Sequence, residues 1–495
     1  MRKGVIMKKK FLLPVVSGML CLAFAFSLAA CGDEPPEGGG GIAWNDKEQW
    51  MTAEEAVPTS AAVLPDAPTV GSPVMVHDPS AFFDPVTQKY YAFGSHFAVA
   101  SSEDLIKWKQ EYRDNYAAGL YGTSDFRSVI PESSAFAGTG GGINSTWAPD
   151  VEYIDGKYYM YYSLTSAFGS AKSVIGRVEA DNVLGPYANE KVIVKSNYET
   201  GSPNAIDPEL FYDKEDRLWM VYGSFYGGIF IKELYAEGES AGLPIEEEGF
   251  GTLLWKRGFS RGVEGPFIFY NAQTDYYYLM VSEGDLNGEY NMRVARSKSP
   301  NGPYVDATGN DVSTDQGRGN KIAGNYKFAS DSKGYGAMGH NSVVKKDGQY
   351  YVVYHTRYGT STISGGGHNV QVNQLFFNEE GWPVMSPQRY AGETRGTVAA
   401  SDVAGNYELV LHSENTTSSV VASEAISLTA DGKVMRGTAE AGTWTLKSDY
   451  YVDITVDNVV YKGVVAPVWH AALGKASYSL TAVSNTGRSL WANKL

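Results

Sequence analysis

Five polar residues introduce five similar stretches of this sequence. Asp78, Asp150, Asp207, Glu264 and Asn341 each precede a short apolar segment, a turn and a Tyr-rich segment. Four of the five carry a carboxyl group, and carboxyl groups crowded into one site must share a proton or be compensated by a cation or a ligand. One carboxylic acid and one carboxylate on opposite sides of a glycosidic bond are the groups that hydrolyse it. The residue types therefore favour glycoside hydrolysis.

Each repeated stretch has the pattern of a β-hairpin. In IDGKYYMYYS and KKDGQYYVVYHT, for example, aromatic and apolar residues flank an Asp-Gly turn. Segments such as VASSEDLIKWKQ supply further strands, and about four strands in each repeat of about 60–70 residues are typical of a β-propeller. We predict a five-bladed propeller over residues 68–391, in which the five polar residues lie together at one mouth of the central channel.

Residues 392–495 lack the five-fold motif but contain short strand candidates such as YELVLHS and GTWTLKS. They predict a separate C-terminal β-sandwich or barrel domain of ordinary size. No long amphipathic helical pattern occurs in the propeller region, so the expected fold class is all-β.

The N-terminus has the features of an export signal. Residues 1–10 carry five positive charges, residues 11–30 form an apolar run, and the run ends in the sequence LAAC. A transmembrane anchor is the alternative, but small residues followed at once by Cys31 resemble a bacterial lipobox. This resemblance implies a signal peptide over 1–30, acylation of Cys31, a flexible tether over 31–67 and an extracytoplasmic lipoprotein of a bacterial cell surface, anchored to the membrane only through this lipid.

Composition excludes several other functions. The 495 residues have a formal net charge of −15, which disfavours nucleic acid as a partner but is compatible with a neutral sugar. The only cysteines are Cys21 and Cys31, so the body of the protein has no cysteine nucleophile or disulfide framework. No HExxH, P-loop or dinucleotide-binding fingerprint is present.

Four motifs in chain order resemble those of glycoside hydrolase family 43, which contains five-bladed propeller arabinanases and xylosidases. They are HDPS (77–80), WAPD (147–150), NAIDP (204–208) and VEGP (263–266). The resemblance implies an inverting hydrolase. In it, Asp78 would be the general base that activates water, Glu264 the general acid, and Asp207 the residue that tunes and orients Glu264.

Two further runs, GSFYGGI (223–229) and GHNS (339–342), resemble the endo-α-1,5-L-arabinanases more than the xylosidases. That resemblance implies arabinan as the substrate and one calcium ion in the central channel near His340. Because calcium prefers oxygen ligands, water would have to complete its coordination. The C-terminal domain also resembles the appendage of the longer, two-domain arabinanases.

The expected substrate-binding residues lie in or near these motifs. Trp147 and Phe168 would form apolar walls for a furanose ring, although either side chain could simply pack in the core. Asp150 matches none of the three catalytic roles, so it would either contact the substrate or support the residues that do. The full expected set is Trp147, Asp150, Phe168, Asn204, Ala205, Ile206, Ser224, Phe225 and Tyr226.

Two alternatives remain open at this point. The nearer one is an exo-acting α-L-arabinofuranosidase or β-xylosidase on the same fold, because closure of a groove by loops cannot be read from sequence. The other is a catalytically inactive glycan-binding lipoprotein, since fold alone does not confer function. The presence of all three catalytic carboxyl groups argues against the second.

Overall fold

The computed structural model describes residues 61–65, 74–139, 141–198, 202–258, 261–364 and 366–495. The predicted signal peptide, Cys31 and most of the predicted tether lie outside these residues. Among the described residues, no helix is both long enough and apolar enough to cross a membrane.

Four antiparallel sheets, each of four strands hydrogen-bonded in chain order, form the first four blades of a propeller. Their strands are β1 (His77–Asp84), β2 (Lys89–Ser95), β3 (Val99–Ser102) and β4 (Trp108–Tyr112); β5 (Trp147–Ile154), β6 (Lys157–Thr165), β7 (Ser173–Ala180) and β8 (Ala188–Ser196); β9 (Glu209–Tyr212), β10 (Leu218–Tyr222), β11 (Ile229–Leu234) and β12 (Thr252–Trp255); and β13 (Val263–Asn271), β14 (Tyr276–Glu283), β15 (Asn291–Ser297) and β16 (Asn320–Ala323).

The fifth blade contains β17 (Tyr326–Lys327), β18 (Gly334–Lys346), β19 (Gln349–Gly359), β20 (Asn369–Phe377) and β21 (Pro383–Met385). The short strand β23 (Val421–Ala422) adds to this sheet in parallel with β17. The helical segments described are short: Ala117–Tyr121, Phe126–Ser128, Pro131–Ala137 and Ala400–Val403.

The C-terminal domain is a closed barrel of eight strands, so the barrel alternative of the sequence prediction is confirmed along with the five-bladed propeller. Its interior is filled by apolar side chains such as Trp444, Val464 and Leu480. Its strands are β22 (Gly405–Leu411), β24 (Glu424–Leu428), β25 (Lys433–Arg436), β26 (Ala439–Leu446), β27 (Tyr451–Val456), β28 (Val459–His470), β29 (Lys475–Ser484) and β30 (Ser489–Lys494).

Five apolar clusters fill the five interfaces between neighbouring blades. Adjacent residues of one strand point to opposite faces of its sheet, so Val343 packs towards blade 4 while Val344 packs towards blade 1. Both faces of each inner sheet are therefore buried. This explains why the Tyr-rich strands read as nearly continuous apolar runs rather than alternating ones.

The inner strands are irregular where they begin. Register shifts interrupt β1 between His77 and Ser80 and β5 between Trp147 and Asp150, and β13 and β18 have equivalent shifts. One residue near the start of each blade has a positive φ angle, the conformation that re-aims a strand at a bulge. These residues are Asp78 (54°), Ala148 (34°), Asp207 (58°), Gly265 (53°) and His340 (47°).

Candidate active site

A cavity of about 330 Å³ lies where the inner strands of the five blades begin. This volume suits a small ligand or a short part of a longer one. Each blade contributes to its wall. Near the starts of the inner strands, each blade places one of these residues in the wall: Asp78, Trp147, Asp207, Glu264 and His340.

Hydrogen bonds between neighbouring blades fix the backbone around this cavity. In four of the five blades, the residue with a positive φ angle donates its backbone N–H to a side chain of the preceding blade. The accepting side chain lies at or near the end of the strand that follows the inner strand of that preceding blade. In the fourth blade, the Gly265 N–H is accepted instead by Asp207 Oδ2 at 3.1 Å. The other four bonds are Ala148 N–H to Ser95 Oγ (2.8 Å), Asp207 N–H to Ser163 Oγ (3.0 Å), His340 N–H to Ser282 Oγ (2.7 Å) and Asp78 N–H to His355 Nδ1 (3.2 Å).

The Asp78 carboxylate lies among imidazole rings. Its Oδ1 is 3.1 Å from His77 Nε2 and 3.3 Å from His340 Nδ1, and its Oδ2 accepts a hydrogen bond from Ser95 Oγ at 2.6 Å. Burial raises the pKa of a carboxyl group, but these polar neighbours outweigh it and hold the pKa of Asp78 well below its ordinary value. Burial also lowers the pKa of His77 to about 4, so this ring is neutral at pH 7.

Glu264 has a different environment. Its Oε2 accepts a hydrogen bond from Ser224 Oγ at 2.6 Å, and its Oε1 accepts one from the Tyr290 hydroxyl. Burial raises the pKa of Glu264 to about 7, and the negative charges of Asp78 and Asp285 also raise it, whereas the two hydroxyl donors lower it. At neutral pH this carboxyl group can therefore still hold a proton.

Asp207 and Glu264 form a coupled pair of carboxyl groups. Burial raises the pKa of Asp207 well above its ordinary value, and the charges of Glu264 and Asp78 add to this effect. Because each group disfavours ionisation of the other, the two titrate as a unit, and the pair retains a proton after Asp78 has lost its own. The site thus combines an ionised carboxylate with a protonated pair.

Seven of the nine expected substrate-binding residues line the cavity. Trp147 and Phe168 meet edge to face with ring centroids 6.1 Å apart, and 71% of the Phe168 surface is exposed. The seven are Trp147, Phe168, Asn204, Ile206, Ser224, Phe225 and Tyr226.

The other two lie behind the wall. Asp150 is buried, and its carboxylate accepts hydrogen bonds from Ser80 Oγ and from the Leu210 N–H, so it joins blade 2 to blades 1 and 3. Ala205 is also buried and donates its N–H to Ser196 Oγ at 3.0 Å. Neither residue contributes to the cavity wall, and neither does Asn341, which was expected at the channel mouth.

Several wall residues were not predicted. Ser95 could have been recognised from the sequence, because the Tyr-rich segments YAFGS, YYMYYS and YLMVS all end in serine. Asp285, Leu286 and Tyr290 come from the loop between β14 and β15, whose sequence carries no recognisable motif. His96 also lines the cavity.

Imidazole groups that could hold a metal ion lie beside Asp78. The ligand atoms of His77, His355 and His368 are all within 4.8 Å of one another. His340 is a separate ring whose Nδ1 faces Asp78, and burial lowers its pKa, so it is neutral and keeps a nitrogen lone pair. Nitrogen ligands suit transition metals, whereas calcium takes six to eight oxygen ligands. Around His340, these residues fit a calcium ion only if water supplies most of its ligands.

Residues 70–383 match the family model described as glycosyl hydrolases family 43, and residues 387–492 match a C-terminal lipocalin-like domain. The chain is 38% identical over 454 residues to the extracellular endo-α-(1→5)-L-arabinanase of Thermotoga petrophila, which covers 84% of this chain and 93% of that relative. It is 36% identical over 460 residues to the extracellular endo-α-(1→5)-L-arabinanase 2 of Bacillus subtilis, with coverages of 85% and 93%. The crystal structure of the endo-1,5-α-L-arabinanase from Thermotoga petrophila matches with a TM-score of 0.78 at 36% identity, covering 86% of this chain and 100% of that one.

The carboxyl pair generates a titration prediction. We expect Glu264→Gln to lower the pKa of Asp207, because the Asp207 proton then no longer leaves against the negative charge of Glu264. Infrared titration of the carboxyl band, assigned with an Asp207→Asn variant, measures this shift. Glu393→Gln is the control, because it removes a buried carboxyl group outside the cavity wall, and it should leave the Asp207 band unchanged. An unaltered Asp207 pKa in Glu264→Gln would show that the two groups are not coupled.

Proposed function

This chain belongs to the glycosyl hydrolases of family 43, and we propose that it cleaves internal α-1,5-L-arabinofuranosidic linkages of arabinan with inversion of configuration. The observation that carries the proposal is the convergence of Asp78, Asp207 and Glu264 on one cavity, in a chain that is similar over most of its length to two endo-arabinanases. The carboxyl groups have opposite pKa shifts, which suit one of them to accept a proton and another to donate one.

In the proposed mechanism, Asp78 is the general base. Its depressed pKa keeps it ionised, and the hydrogen bond from Ser95 Oγ fixes the orientation of the carboxylate. The carboxylate accepts a proton from a water molecule as that water attacks the anomeric carbon. Because attack comes from the face opposite the leaving group, the product has inverted configuration.

Glu264 is the proposed general acid. With its pKa raised to about 7, it is protonated over much of the neutral range and donates its proton to the departing glycosidic oxygen. The carboxylate that remains is stabilised by the hydroxyl groups of Ser224 and Tyr290. Asp207 accepts the Gly265 N–H and so fixes the backbone next to this acid, while the charge of Glu264 raises the pKa of Asp207 itself.

The rest of the wall suits a neutral furanose. Trp147 and Phe168 offer apolar ring surface for the sugar, and the hydroxyl and amide groups of Ser224 and Asn204 are of the type that bind sugar hydroxyls. Nothing in this set requires a charged substrate.

Product analysis tests the proposed function. Purified protein should release arabino-oligosaccharides early from linear arabinan, should act less on branched arabinan, and should leave xylan intact. The anomeric configuration of the first product, followed by NMR, should be inverted. Arabinose as the sole early product would favour the exo-acting alternative, binding without cleavage would favour the glycan-binding one, and retained configuration would contradict the mechanism.

The two catalytic carboxyl groups should respond differently to the leaving group. Asp78→Ala should lower kcat on every substrate, because each one needs activated water. Glu264→Ala should lower kcat on arabinan by about 10²–10⁴-fold but have a much smaller effect on aryl arabinofuranosides, whose leaving groups need little protonation. Steady-state kinetics on both substrates measure the difference. Equal losses on the two substrates in Glu264→Ala would reject its role as the acid.

We also propose one calcium ion near His340, held largely through water. His340 would supply an imidazole nitrogen, and a bound ion would add positive charge beside Asp78. The neutral ring and the nearby carboxylate support this proposal, whereas the scarcity of oxygen ligands limits it to a mostly hydrated ion.

Chelation tests the metal proposal. Exhaustive EDTA treatment should lower the Tm, and calcium should restore it, because an ion that binds only the folded state stabilises that state. His340→Ala should lower the Tm similarly and should show no further loss with EDTA. A wild-type sample whose Tm and activity survive exhaustive chelation would remove the metal from the proposal.

For the N-terminus, we propose export followed by lipid attachment at Cys31, which would tether the enzyme to the cell surface. The LAAC sequence after the apolar run supports it, and the names of the relatives as extracellular enzymes support the extracytoplasmic location. Mass spectrometry of detergent-extracted protein should find an acylated N-terminal Cys31. Cys31→Ser should abolish that species, and an unmodified wild-type chain beginning at Met1 would contradict the proposal.

A further inference from the structure

A segment of the C-terminal domain lies against the propeller, next to the catalytic cavity. This segment, residues 412–420, connects β22 of the barrel with β23, and we call it the strap. Its backbone and side chains form hydrogen bonds to blades 4 and 5. These are Arg293 Nη2 to Glu414 O (2.6 Å), Lys321 Nζ to Asn415 O (2.7 Å), Thr416 Oγ1 to Glu283 Oε1, Asn325 Nδ2 to Thr417 O (3.0 Å), Ile363 N to Ser418 O (3.1 Å) and Val420 N to Ser361 O (3.0 Å).

The strap packs behind the loop 284–290, which forms one wall of the cavity. A Cβ atom added to Gly284 would lie 2.6 Å from Thr416 Cγ2, and one added to Gly288 would lie 3.2 Å from Ser418 Cβ. The strap and the loop are therefore in close contact, with no room for a side chain between them at Gly284. The same loop ends at Tyr290, whose hydroxyl donates to Glu264.

Thr416 is the residue of the strap that contacts both ends of this loop. Its hydroxyl donates to Glu283, the residue before the loop, and accepts a hydrogen bond from Asn291 Nδ2 at 3.3 Å, just after the loop. Glu283 is buried, and the guanidinium groups of Arg257 and Arg293 also pair with its carboxylate, at 3.1 and 3.2 Å. A buried carboxylate of this kind is sensitive to the loss of any one donor.

We infer that Thr416 is a positioning residue for catalysis: the C-terminal barrel, through its strap, sets the position of the loop 284–290 and so of the Tyr290 hydroxyl that holds Glu264. The barrel then helps to position the general acid. The role of Glu264 in this inference rests on the proposed function, whereas the contacts between the strap and the loop are independent of that function.

Two barrel threonines allow a matched test. Thr416→Val removes the hydroxyl of the strap while keeping the shape of the side chain. Thr481→Val is the control. Thr481 Oγ1 donates to Met385 O at 2.7 Å, so this substitution also removes a hydrogen bond between the two domains, but one that lies away from the loop. Thr416→Ser keeps the hydroxyl. Each full-length variant is compared with the wild type. The two measurements are amide hydrogen exchange of residues 284–290 and kcat on arabinan and on an aryl arabinofuranoside.

We expect Thr416→Val to speed amide exchange in the loop and to lower kcat on arabinan about tenfold. The loss on the aryl arabinofuranoside should be much smaller, because cleavage of arabinan depends strongly on the general acid and cleavage of the aryl substrate does not. Thr416→Ser should recover both properties, and Thr481→Val should change neither. Thr416→Ala provides the same comparison if the valine variant does not fold. Loop exchange that is the same in the Thr416 and Thr481 variants would overturn the inference. Failure of the wild type to cleave arabinan would reject the proposed function, while loop exchange would still decide the role of the strap.

Discussion

Five buried backbone N–H groups at the centre of the propeller need hydrogen-bond acceptors, and the active site depends on how they obtain them. All five are satisfied by a side chain of the preceding blade, four by a serine or histidine near the end of its second strand and the fifth by the carboxylate of Asp207. An unpaired buried N–H would cost as much as a lost hydrogen bond, so each blade can adopt its bent start only when its neighbour is in place. The bond from Asp78 N–H to His355 closes this ring between the fifth and first blades. Catalytic geometry is thus a property of the closed ring rather than of any single blade.

The same ring separates the two kinds of carboxyl group. Asp78 receives polar neighbours from blades 1 and 5, and these stabilise its ionised form. Asp207 and Glu264 lie on blades 3 and 4, where burial and mutual repulsion favour protonation of the pair. Opposite proton affinities therefore arise within one small cavity.

The repeated hairpins were sufficient to predict five blades, because a buried strand with a tight turn leaves a local signature in the sequence. The positions of Asp78, Asp207 and Glu264 at the cavity follow from the same repeat. Asp150 and Asn341 were misplaced because the sequence does not show the bulges that re-aim each inner strand. In the second and fifth blades, the residues with a positive φ angle are Ala148 and His340. Asp150 and Asn341 therefore come after the residue that bends the strand. Tyr290 and the strap depend on contacts between distant parts of the chain, which local patterns do not encode.

The parallel pairing of β17 with β23 has a consequence for how this protein can be divided. Val421 N–H and Ser423 N–H donate to the carbonyl groups of Asn325 and Lys327, at 3.2 and 2.9 Å, so the barrel covers one free edge of the fifth blade. An uncovered sheet edge is a template for pairing with another chain. Cleavage in the linker before the barrel would therefore leave a propeller that is prone to aggregate rather than a smaller soluble enzyme.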